Sequence, residues 1–107
     1  MSFHPGVPAR LKKKRERVFV YSWGSEAAQL TYVRLEPGEE TNHRHSSGQM
    51  GIVLKGVLEI TIDGESRTCG PGDGYLIPAS TPHGFRVAGA EAAECVEVLS
   101  PPKRESV

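Results

Sequence analysis

Three histidines carry the strongest chemical signal in this sequence. His43 and His45 stand two apart in Thr41-Asn42-His43-Arg44-His45, so an extended strand turns both rings to one face. His83 lies in a later segment that also reads as a strand. Two imidazoles side by side, joined by a third from elsewhere, are what a first-row transition metal requires: neutral nitrogen ligands at about 2.0–2.2 Å. A His-x-His pair alone is common on surfaces, so its neighbours decide. Gln49 follows four residues after His45, and Glu97 lies in the last apolar stretch. Cys95, Glu97 and Leu99 share one face of that stretch, and Val96 and Val98 take the other. Alternation leaves open which face is inward. Beside a metal Glu97 is a buried acid–base group; turned outward it is a surface acid.

The elements that must position these residues are strands. From Val18 onward, turn residues punctuate the chain and apolar or alternating stretches lie between them. The spacing predicts strands over 18–23, 30–35, 50–54, 57–62, 65–69, 75–77, 83–87 and 94–99. The clearest is 57–62, with Leu58, Ile60 and Ile62 on one face, before the hairpin pair Asp63-Gly64. Gly70-Pro71-Gly72-Asp73-Gly74 is a tight turn. No long 3.6-residue period is present; residues 26–29 allow a single turn. Short strands between Gly/Pro turns imply an all-β sandwich or barrel.

The chain has 107 residues, enough for one domain. Its 13 basic and 13 acidic residues cancel, but unevenly. Residues 1–17 hold six basic side chains and one acid, a net of +5, which leaves 18–107 at −5. The expectation is a basic, poorly ordered N-terminal arm over 1–17, a barrel over 18–103 and a tail over 104–107. Without aromatic or helical patterning in the arm, nucleic acid is not the expected partner. The absence of a long apolar run argues against a membrane span. The unpatterned N-terminus and two isolated cysteines, Cys69 and Cys95, point to a reducing, cytoplasmic setting.

Gly38-x4-His43-x-His45-x3-Gln49-x6-Gly56 and Gly72-x5-Pro78-x4-His83 together resemble the two signature motifs of the cupin superfamily. The resemblance spans Gly38 to Val87. It implies a single cupin-type β-barrel, a jelly roll or double-stranded β-helix. It also implies one divalent transition metal (Zn, Ni, Fe or Mn) held by His43, His45, Gln49 and His83. Tyr75 and Phe85 would then project near the metal. Packing or exchange of N-terminal strands such as 18–23 would make a homodimer. The sequence departs from the family pattern at Ser80, at Val87 and at Gln49, where Glu is usual. A neutral Gln ligand leaves the ion its full +2 charge, which favours an anionic substrate and Lewis-acid chemistry over oxygen activation.

Within the superfamily, Gln49-Met50-Gly51, the run from Pro71 to Pro78 and the strand entering Ser100-Pro101-Pro102 resemble the pectin-degradation cupins that linearise unsaturated uronates. That likeness implies Glu97 and Lys103 as catalytic groups and Leu99 as a pocket residue, where the branch usually has Asp, Arg and Phe. The expected function is an isomerase- or lyase-type reaction on a small anionic sugar derivative. The alternatives are a mononuclear metal dioxygenase and a non-catalytic module that binds or senses a small acid. Arg34 and Arg86 are weaker anion-binding candidates, and His4 carries no expectation.

Overall fold

The computed structural model describes residues 2–102. Ten strands form in chain order: β1 (Lys12–Arg15), β2 (Val18–Gly24), β3 (Gln29–Leu35), β4 (Glu40–His43), β5 (Gly48–Lys55), β6 (Leu58–Ile62), β7 (Glu65–Cys69), β8 (Gly74–Ile77), β9 (His83–Val87) and β10 (Ala93–Ser100). They make two antiparallel sheets, one ordered β1-β2-β3-β10-β5-β8 and the other β4-β9-β6-β7. The fold is the all-β jelly roll, and no α-helix occurs among the described residues.

Alternation builds the core. β10 runs buried at Ala93, Cys95, Glu97 and Leu99, with Val96 and Val98 half-buried on the opposite face. The two facings left open by the sequence are thereby decided, with Glu97 inward. Val53, Leu58, Ile60, Ile77 and Cys95 are almost wholly buried between the sheets. The larger of these side chains contribute about 1.5–3 kcal/mol each by leaving water. The Asp63-Gly64 hairpin has positive φ at both residues, 49° and 86°, which matches the twist of β6 and β7 and favours Asn/Asp-Gly pairs.

The N-terminal segment differs from the expected loose arm. Lys12–Arg15 pairs with β2, and Arg15 bonds the buried carboxylate of Glu39 at 2.7 Å. His4 stacks on Trp23 with ring centroids 4.8 Å apart and bonds the Tyr21 hydroxyl at 2.9 Å. Arg10 lies over the same Tyr21 ring. The outward aromatics of β2 therefore gain a cover, and the basic run becomes an edge strand, where lysines suit an exposed sheet edge. β4 was also not expected: four residues reading Glu-Thr-Asn-His lack an apolar alternation, and their strand is set by pairing with β9.

Cys69 and Cys95 are both buried and unbridged. No helix among the described residues is long and apolar enough to cross a membrane. Lys103 and the tail expected over 104–107 lie outside the described residues.

Candidate metal centre

His43 ends β4 and pairs directly across the sheet with His83, the first residue of β9. His45 lies beyond β4 in the loop leading to β5, so the two histidines nearest in sequence do not share one strand. The loop nevertheless turns His45 back. Ring centroids are 5.4 Å apart for His43–His45, 4.5 Å for His43–His83 and 4.9 Å for His45–His83. One donor nitrogen from each ring lies within 4.8 Å of the others.

Backbone contacts set the rings for metal binding. Nδ1 of His83 donates to the Thr81 carbonyl at 2.9 Å, and Nδ1 of His45 to the Ser47 carbonyl at 3.1 Å. A carbonyl only accepts, so Nδ1 carries a proton in both rings, and Nε2 is the nitrogen that offers a lone pair to a metal when the ring is neutral. These residues fit a divalent transition ion, and the donor set leaves the choice of metal open.

Gln49 is the second residue of β5, in the other sheet, and is buried. Its Nε2 donates to Glu97 Oε1 at 2.7 Å, and the Tyr75 hydroxyl donates to the same oxygen at 2.7 Å. With its amide nitrogen on Glu97, Gln49 keeps its acceptor oxygen as the end able to ligate. A carboxyl group, the usual ligand type at this position, is therefore present one hydrogen bond behind Gln49, on Glu97.

A cleft of about 690 Å³, open mouth included, lies against part of this group. His43, His45, Gln49 and Glu97 line its polar part, with Phe85 and Leu99 on the wall. Tyr75 reaches Glu97 from outside that wall and packs edge-on to Phe85 at 5.4 Å, which makes it a positioning residue. Arg34 pairs with Glu36 and Arg86 with Glu59, each at 3.2 Å on outward faces. Sequence reasoning missed the polar trio Ser22, Gln29 and Thr31, which hydrogen-bond to one another on the cleft wall. Their signal was available: polar residues in step with the inward Val20 and Val33.

Gly51 makes room for the Tyr75 contact. A methyl group there would lie 2.5 Å from the Tyr75 oxygen and 2.6 Å from the Val96 carbonyl. Gly51→Ala is expected to destabilise the fold by about 1–3 kcal/mol through this overpacking. A urea midpoint equal to that of the wild type would contradict it.

Burial first, then the charge of Glu97, pushes the Tyr75 hydroxyl above the ordinary tyrosine range, and the same two causes raise the Cys95 thiol. Burial and a hydrogen bond to Glu94 push Tyr32 up to about 12. The fold thus favours the protonated phenols. This stabilisation is complete below the unfolded value of about 10 and is lost as pH rises through about 12. At about pH 11 the native protein is expected to show much less tyrosinate absorbance than the same chain in denaturant. Superimposable titrations would refute this.

The family model described as "Cupin domain" matches residues 31–99. Among curated proteins, "Polyketide synthase CurC" of Streptomyces cyaneus is 38% identical over 69 residues, covering 63% of this chain. The chain spans only 45% of that relative's length. Among solved structures, KdgF from Halomonas sp. superposes with a TM-score of 0.89 at 24% identity, covering 100% of this chain and 99% of that one. An RmlC-like cupin from Shewanella frigidimarina gives 0.86 at 18% identity over 99% and 94% of the two chains. TT1209 from Thermus thermophilus gives 0.78 at 26% identity over 90% and 95%.

Proposed function

This chain belongs to the cupin family, and from that premise we propose that it is a metal-dependent enzyme of the isomerase or lyase type acting on a small anionic sugar derivative such as an unsaturated uronate. The observation that carries the reading is the carboxylate of Glu97, held by Gln49 and Tyr75 in the cleft that His43 and His45 line, the two histidines that group with His83. His43, His45, Gln49 and His83 would hold one divalent ion, whose chemistry when bound is Lewis-acid polarisation of a substrate oxygen. Glu97 takes a proton from the substrate and returns it, and the two hydrogen bonds on Oε1 fix its aim. The resemblance assigns Lys103, outside the described residues, to the substrate carboxylate. The resemblance in the Gln49-Met50-Gly51 and Pro71–Pro78 segments supports the uronate.

The test is direct. Protein loaded separately with Zn, Ni, Mn or Fe(II) is incubated with a 4,5-unsaturated monouronate, and loss of the double-bond absorbance is followed. Acceleration over buffer by at least one metal form is expected; none would remove the uronate. A second reading keeps the site and changes the substrate to an acid with an apolar body. It is favoured by the valine-rich inner wall of the cleft and by the likeness to CurC.

We also propose a cytoplasmic homodimer. Unbridged, buried Cys69 and Cys95 support the compartment. Met50, Ile52, Leu54 and Leu76 are exposed together on β5 and β8, with Met50 paired to Leu76, which supports burial against a second copy. Leu76→Glu is expected to convert a dimer into a monomer in light scattering; a wild type that runs as a monomer would reject the interface.

A further inference from the structure

The basic strand β1 carries an irregularity that the proposed function does not use. Lys13 pairs with Phe19 and Arg15 with Val18, so Lys14 is one residue in excess. In a regular strand, Lys14 and Arg15 would point to opposite faces. At a β-bulge the extra residue is re-aimed, and here both side chains line the mouth of the cleft whose wall carries His43, His45 and Glu97. Arg15 is anchored to the buried Glu39 just before β4, which ties β1 across the mouth. Lys14 lies on an exposed strand.

We propose that Lys14 is a specificity-determining residue that binds the carboxylate of the ligand at the mouth of the cleft. The cleft is then bipolar, with Glu97 and the histidines inside and a cation at the rim. Such a site selects a molecule whose anionic end points away from Glu97. This rests on the reading of the cleft as a substrate site, but not on the substrate being a sugar. It gives the basic N-terminal run a role at the site, in addition to any role of Lys103.

Binding to zinc-loaded full-length protein by calorimetry tests it, with two matched pairs of probes: D-galacturonate against D-galactose, and benzoate against benzyl alcohol. The wild type is expected to prefer the carboxylate in at least one pair. Lys14→Ala should lower that preference about five- to tenfold and Lys14→Arg should keep most of it, the effect shrinking with added salt. Zinc content of Lys14→Ala should match the wild type and its melting curve should change little, since contacts of an exposed lysine contribute little to stability. Preference for benzoate that is lost in Lys14→Ala, without binding of galacturonate, supports Lys14 and counts against the uronate. A preference that survives intact in Lys14→Ala, or no carboxylate preference in the wild type, overturns the proposal.

Discussion

Replacing His45 with alanine is expected to reduce bound transition metal from near one equivalent to less than about a tenth, in protein purified without chelator and assayed by elemental analysis. His45 is the half-exposed member of the trio, so its removal leaves a smaller packing defect than removal of the buried His83. The size of the effect follows from the geometry. Outer partners of a metal ligand already cost about 10- to 100-fold in affinity when lost, and a ligand itself should cost more. His83→Ala should lose metal at least as completely, but it also opens a hole between Phe85 and the other rings. The pair of variants therefore separates loss of a ligand from loss of packing. If His45→Ala retains metal at wild-type occupancy and affinity, the three-histidine centre is wrong as drawn.

Glu97→Gln is expected to lower turnover of the substrate by about 10²–10⁴, the range supplied by a positioned acid–base group, while metal content stays near wild type. The substitution keeps the shape and an oxygen that can accept from Tyr75 and Gln49, so it tests charge and proton transfer with little disturbance of packing. Glu97→Ala is a different experiment. It leaves the Gln49 amide and the Tyr75 hydroxyl without their shared acceptor, which costs about 1–3 kcal/mol for each buried donor. Tyr75→Phe, which removes only one of the two donors, should reduce turnover less than Glu97→Gln and shift its pH profile. A Glu97→Gln protein that turns over at the wild-type rate would exclude Glu97 as the proton carrier.

Much of this site was legible because strand geometry is local. The alternation of Leu58, Ile60 and Ile62, the Asp63-Gly64 turn and the inward or outward choice along 95–99 all follow from a two-residue period. That period names two candidate faces without choosing between them. The choice for Glu97 came from pairing: β10 lies between β3 and β5, and its Cys95–Leu99 face closes on the core of the opposite sheet. His45 shows the limit in another form. Its spacing from His43 puts both rings on one face only along an extended strand, yet its ring reaches the site from a loop, held by Ser47.

The sequence by itself determined the all-β class, most strand positions and the identity of the three histidines, since those depend on residue type and short-range spacing. Tertiary structure alone decided that Gln49 and Tyr75 converge on Glu97, and that the basic run of residues 12–15 closes the sheet at the mouth of the cleft. Those contacts join residues 22 to 48 positions apart, or depend on a one-residue slip in pairing between β1 and β2. No local period encodes either, because which strands become neighbours is settled by how the two sheets bury their faces together.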